Sequence, residues 1–217
     1  MKYYIVVAHP EPQSFNLALS NEAATVVQRA GHEVRVLDLN GESWDPVSDR
    51  RNFLTVKNAE RFNQQDEELH ATENKSFNRD IQKSMEDLFW CDVLVLQFPL
   101  WWFAMPAIMK GWVDKTFAYS AIYGPGKRFE NGSFVGKRAV LSVTTGDPER
   151  RYGEGSRNPP IESLLLPIHH GIFKYNGFTV VEPFVAWEPG RLTLEDRKQY
   201  LKDLPIKLLN IGQQGAL

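Results

Sequence analysis

Three short segments of this chain hold residue types that could do chemistry together. The first is HPEPQSFN, His9 to Asn16. Ser14 and Asn16, with free backbone N–H groups where a helix begins, form an anion site. His9 adds a donor or a charge for a phosphate. The second is FPLWWF, with Pro99, Leu100, Trp101, Trp102 and Phe103 on one turn. Large aromatics there are costly to leave in water and usually find something flat to pack on. The third is TTGD, where Thr144, Thr145 and Gly146 bring hydroxyls and a close-approaching backbone that could bond the edge of a heterocycle. Taken singly, each set has a plain structural use: Ser14 as an N-cap, His9 as a strand-end residue, the aromatics as core, TTGD as a strand-to-helix turn.

The elements around these segments decide whether they meet. Tyr3 to Ala8 is a short continuous apolar run, the mark of a parallel strand covered on both faces. A helix over about Phe15 to Ala30 follows, stopped by Gly31, and His32 to Leu39 alternates as a second strand. Asn40 to Lys75 is polar and irregular, and reads as long surface loops with short helical turns. Helices are expected over about Phe77 to Trp90, Pro106 to Tyr119, Ile161 to Tyr175 and Leu194 to Leu209. Strands are expected over Asp92 to Phe98, Arg138 to Thr144 and Phe178 to Trp187. Strands and helices alternate five times, which specifies a three-layer α/β/α sandwich with a five-stranded parallel sheet. The order 2-1-3-4-5, the flavodoxin-like arrangement, puts a switch point between strands 1 and 3. All three chemical segments then fall at one carboxyl edge. Phosphate donors, a flat apolar wall and ring-edge donors at one place fit a phosphorylated planar cofactor, and flavin is the best candidate.

Composition removes other classes. At 217 residues the chain makes one domain, residues 1–217. A net charge of −2 with scattered basic residues argues against nucleic acid. The one cysteine, Cys91, precedes an apolar strand and reads as a small core residue. No apolar run reaches a membrane span and no signal peptide is evident, so a soluble, reduced, cytoplasmic protein is expected. G-x-G-x-x-G and Walker A patterns are absent after the first strand, which disfavours a standard NAD fold and a P-loop NTPase. His169 and His170 are adjacent, about 100° apart on a helix, with no third ligand, so no metal site is expected.

The segments HPEPQSFN, QFPLWWFAMPAIMKGW, LSVTTG and GFTVVEP make the chain resemble the NAD(P)H:quinone oxidoreductase family of flavodoxin-like flavoproteins. The resemblance covers residues 3 to about 200. It implies a homodimer with the flavin site at the subunit boundary, and a ping-pong transfer of hydride from NAD(P)H through flavin to a quinone. His9, Ser14, Phe15, Asn16 and Ala18 match positions around the flavin phosphates, and Pro99 to Phe103 the loop along the isoalloxazine. Thr144, Thr145, Gly146 and Asp147 match the ring-edge loop. Tyr152 matches a tyrosine that stabilises reduced flavin, and Asn63 a side-chain amide near the cofactor. Asp114 and Arg197 match the adenine end, which favours FAD over FMN; on sequence alone they read equally as helix-surface charges. Trp102, Phe103, Tyr119, Tyr123, Gly146 and Tyr175 are the expected substrate wall.

Three departures stand out. Asn158 occupies the position of the family's histidine, so the proton-relay partner of Tyr152 is missing; an amide can donate but does not titrate. Asp147 replaces a glycine. The family's long C-terminal extension is also expected to be absent. Two rival readings remain: a flavin-binding ancillary subunit of a glutathione-regulated potassium efflux system, and an electron-transfer flavodoxin, against which the nearly neutral charge counts.

Overall fold

The computed structural model describes residues 1–213 together with Gly215 and Leu217. Six strands and six α-helices follow in the order β1 (Lys2–Val7), α1 (Phe15–Arg29), β2 (Glu33–Asp38), α2 (Gln64–Asn74), α3 (Arg79–Trp90), β3 (Val93–Pro99), α4 (Ala107–Thr116), β4 (Arg138–Thr144), α5 (Ile161–Ile168), β5 (Thr179–Val180), β6 (Phe184–Ala186) and α6 (Leu194–Leu209). The sheet runs β2-β1-β3-β4-β5, with β6 paired to β4 further along the same edge, and every pairing is parallel. β3 is buried at all seven positions, as a central strand with helices on both faces must be. Leu19 and Ala23 of α1 pack with Leu204 and Leu208 of α6 on one face. Ile81 and Met85 of α3, Met109 and Trp112 of α4 and Leu165 of α5 fill the other. Cys91 is a buried free thiol that donates to the Leu88 carbonyl; burial pushes its pKa up to about 12.

The expected five-strand order holds, and the differences are local. The fifth strand is broken into β5 and β6. Its register against β4 slips by one residue between Ala139↔Val180 and Ser142↔Phe184, and the slip falls where Pro183 has no N–H to give a ladder. The helix expected to reach Tyr119 ends at Thr116. The helix expected over Ile161 to Tyr175 stops at Ile168 and continues as a π-turn, His169–Phe173, and a short 3₁₀ turn, Lys174–Asn176. Pro167 sits inside this segment and removes one helical donor.

Asn40 to Lys75 holds more order than expected, because α2 is an eleven-residue helix. Its inward face carries Glu67, Glu68 and Ala71, so no apolar stripe betrays it. Asn63 caps it, accepting from the Asp66 N–H at 3.3 Å. The buried Glu67 carboxylate accepts from the backbone of Lys57 (2.6 Å) and Asn58 (3.1 Å), which organises the loop ahead of the helix.

His169 is buried in the π-turn and burial, assisted by Lys174, lowers its pKa from 6.5 to about 4. The folded state therefore resists a proton that the unfolded chain accepts. Stability is unaffected near pH 7 and falls as pH drops from about 6.5 towards 4, by roughly 3 kcal/mol in all. Replacing His169 with Gln should flatten acid melting curves across that window. An unchanged slope would mean that the ring is not buried neutral.

Candidate functional site

The carboxyl edge brings the first three segments together. The His9 ring lies 5.7 Å from that of Trp101, tilted by 58°, which joins the loop after β1 to the loop after β3. Ser14 caps α1, its hydroxyl accepting from the Leu17 N–H at 3.3 Å, and the Ala18 N–H bonds the Ser14 carbonyl. Phe15 packs its ring partly into the core under α1. Helix geometry leaves the first-turn N–H groups of Phe15 and Asn16 without intrahelical acceptors, so this corner can receive an anion.

Asn16 has a different duty from the one expected of its side chain. It is 4 % exposed and donates to the Thr144 hydroxyl at 3.0 Å while accepting from the Gln97 amide at 2.8 Å. It pins α1 to β3 and β4 beneath the site. Asn16→Ala strands a buried amide and hydroxyl, which costs about 1–3 kcal/mol and should lower Tm by several degrees; an unchanged Tm would remove this role.

The aromatic turn is strained. Trp101 and Ala104 exchange backbone hydrogen bonds of 3.1 and 3.0 Å around Trp102 and Phe103, whose φ angles are 51° and 59°. Positive φ at both central residues is the I′ arrangement, which ordinarily takes Asn-Gly. A bulky residue there costs roughly 1–2 kcal/mol. Trp102 recovers nothing by packing, being 97 % exposed, and Trp101 and Phe103 are nearly half exposed. Strain that yields no packing within the chain points to a ligand. Leu100 anchors the turn through its N–H to the Thr144 carbonyl at 2.8 Å, and Pro99 pairs with Thr144 in register.

On the third loop, the Thr145 hydroxyl donates to the Asp147 carbonyl at 2.7 Å and accepts from the Glu188 N–H at 3.2 Å. Gly146 is exposed, and a Cβ built on it meets nothing within 4 Å, so a flat group has room to approach. Asp147 ties the loop together. It pairs with Arg151 at 2.8 Å, and the Asn158 amide donates to it at 3.4 Å. Tyr152 and Asn158 form a parallel bridge, and Asn158 is buried. The Tyr152 ring lies 5.0 Å from Trp187. Burial, then the Asp147 carboxylate, raises the Tyr152 pKa, with Asn158 opposing, so the phenol stays protonated through neutral pH. Trp187 and Glu188 are site neighbours that no motif marks, although both follow the fifth strand onto this same edge.

The remaining expected residues lie elsewhere. Tyr119, Tyr123 and Tyr175 do not share a wall with Trp102 and Phe103 in one chain. Tyr175 sits just before β5, at the amino edge of the sheet, 6.2 Å ring to ring from Tyr123, which is 5.7 Å from Tyr119. There Tyr123 and Tyr175 border a cavity of about 310 Å³ lined also by Gln64, Glu68, Asp114 and Phe117, with Tyr119 packed against Tyr123. The reason is helix α4, which carries the chain from the carboxyl edge back across the sheet before Tyr119. Asn63 begins α2 beside this cavity as a helix cap, and Asp114 is ion-paired to Lys110 at 2.6 Å. Arg197 is on α6, on the opposite face of the sheet from α4, so the two adenine-end candidates are not brought together in one chain. The buried Glu68 carboxyl has a raised pKa, burial being the cause, with hydrogen bonds from Tyr119 and Gln64 opposing it.

Sheet order, switch point and loop chemistry thus describe a flavodoxin-like protein with a shaped aromatic site. The chain belongs to the flavodoxin-like fold family, which it matches over residues 1–204. It is 37% identical to a ribosyldihydronicotinamide dehydrogenase-like protein of Penicillium crustosum, over 98% of this chain and 86% of that one. It is 33% identical to NAD(P)H dehydrogenase [quinone] 1 of Cavia porcellus, over 98% of this chain and 78% of that one. The structure of a candidate quinone reductase from Klebsiella pneumoniae superposes with a TM-score of 0.93 at 35% identity, covering 100% of this chain and 86% of that one.

Proposed function

We propose that this protein is a flavin-dependent NAD(P)H:quinone oxidoreductase. The observation that carries the reading is the strained, exposed Trp102–Phe103 turn, set at the switch point beside a capped helix start and an open glycine. These residues fit a flavin: Ser14 and the first turn of α1, with His9, would hold its phosphates, Trp101 to Phe103 would lie along its ring, and Thr145 to Asp147 would border the ring edge. Bound there, a flavin supplies the two-electron chemistry between a dihydronicotinamide and a quinone.

The protein's part is orientation, exclusion of water and one hydrogen bond. The aromatic turn gives a flat wall against which nicotinamide and then quinone would stack in turn. Tyr152 keeps its proton on Oη and donates a hydrogen bond where negative charge develops, as a preorganised donor should. Asn158, held by Asp147, fixes that hydroxyl and passes on no proton of its own.

The placement of Tyr119, Tyr123 and Tyr175 away from Trp102 favours a homodimer. In that arrangement the tyrosine group of one protomer faces the aromatic turn of its partner, and Asn63 and Asp114 approach the partner's cofactor. This supports FAD over FMN, with the partner offering its adenine-end residues. A cytoplasmic setting belongs to the same reading; no helix among the described residues is long and apolar enough to cross a membrane. The dehydrogenase names of the relatives support an enzyme over an ancillary transporter subunit.

Steady-state turnover tests the reading. With added FAD, quinone-dependent oxidation of NADPH or NADH should give parallel double-reciprocal lines. No turnover with either nicotinamide or with a ribosyl dihydronicotinamide, across several quinones, would overturn it.

A further inference from the structure

We propose that Glu68 is a positioning residue that sets the acceptor wall by fixing Tyr119 and Tyr123, a role that rests on the quinone-reductase reading. Its carboxylate is buried. One oxygen accepts from the Tyr119 backbone N–H at 2.6 Å and the other from the Gln64 amide at 2.5 Å. The neighbouring Gln65 amide reaches the Tyr123 hydroxyl at 3.4 Å. Helix α2 therefore grips both ends of the segment Tyr119 to Tyr123.

That segment needs gripping. It follows the end of α4 and is closed by the Ser120 N–H on the Tyr123 carbonyl at 2.7 Å, with Ser120 at φ 69°. From it rises the ladder in which Tyr119 meets Tyr123 at 75° and Tyr123 meets Tyr175 at 59°. Glu68 lines the same cavity as Tyr123 and Tyr175.

Burying a carboxylate is expensive unless it is fully hydrogen-bonded. A neutral oxygen would satisfy one N–H at lower cost. A charged acceptor gives a shorter and stronger bond, and that bond fixes the position of a backbone carrying two rings. Glu67, next to it, fixes the preceding loop in the same way. The polar helix α2 thus acts as a clamp whose inward carboxylates hold surface segments in place, and the second of them shapes the wall against which a flat acceptor would rest.

The test compares Glu68→Ala, Glu68→Gln and Gln65→Ala in the FAD-loaded protein, with a soluble naphthoquinone as acceptor. Glu68→Ala should raise the quinone KM about tenfold, as loss of a positioned binding surface does, with FAD affinity within about twofold of the parent. Glu68→Gln keeps an oxygen for the Tyr119 N–H but loses the charge that shortens the bond, so it should recover part of the loss, with KM about three- to fourfold above the parent. Gln65→Ala removes only an exposed contact, so it should fold as the parent does and raise KM about two- to threefold. An unchanged KM in Gln65→Ala, or equal losses of Tm, FAD affinity and KM in Glu68→Ala without rescue by Gln, would overturn the proposal. A parent protein that takes up no flavin and reduces no quinone would instead overturn the functional reading beneath it.

Discussion

Replacing Trp102 with Gly should leave the protein at least as stable as the parent while cutting turnover about tenfold to a hundredfold. Both halves follow from the turn. Trp102 has positive φ and is 97 % exposed, so truncation removes almost no burial. Glycine relieves roughly 1–2 kcal/mol of left-handed strain and gives back about 0.5–1 kcal/mol through the freer unfolded chain. The loss in activity comes from the missing flat surface, since stacking of a heterocycle on an aromatic side chain contributes about 1–3 kcal/mol and misplacement of reacting groups adds to it. Trp102→Ala keeps the strain and should lose activity alone. Thermal melting, flavin affinity and kcat/KM on the three proteins check this. Comparable losses in melting temperature and activity would return Trp102 to an ordinary structural role.

The second large effect concerns Tyr152. Tyr152→Phe removes the one phenolic donor at the ring edge and should lower kcat about a hundredfold, the scale for a lost preorganised donor. The pH profile separates a donor from a relay. Burial and Asp147 raise the Tyr152 pKa above its usual 10, so the hydroxyl stays protonated and the parent's kcat should be flat from about pH 5.5 to 9. The groups facing Tyr152 are Asp147, with its Arg151 partner, and Asn158, an amide that does not titrate. Asn158→His puts a titrating ring beside the Asp147 carboxylate, which favours the imidazolium. A new limb should then appear at or somewhat above pH 6.5. A parent profile that already bends there would show that some other group relays protons.

Most of the fold and part of the site are legible in the amino-acid sequence. The continuous apolar runs of β1, β3 and β4 identify themselves because both faces are covered, and the order of strands follows from alternation with helices. Topology alone places the three loops at one edge. What stays hidden has physical reasons. Helix α2 conceals its inward face because that face is made of Glu67 and Glu68, so no hydrophobic period marks it. The π-turn at His169 depends on Pro167 and on packing that no local pattern reports. Asn16 has the chemistry of a phosphate ligand, and only the fold shows its amide spent on Gln97 and Thr144. Tyr119, Tyr123 and Tyr175 have the right chemistry for a wall, but sequence does not say that α4 carries the first two to the far edge. Strain at Trp102 and Phe103 is likewise invisible in a string of letters, although it is the clearest structural sign that this turn serves a ligand.

One spectrum tests the central claim most directly. The purified protein, with FAD supplied if needed, is held without oxygen and its visible absorption followed as NADPH or NADH is added and then a quinone. A flavin band that bleaches with the nicotinamide and returns with the quinone is the result this structure predicts. A protein that stays colourless and takes up neither FAD nor FMN would contradict it, leaving a flavodoxin-like scaffold whose aromatic turn serves some other ligand.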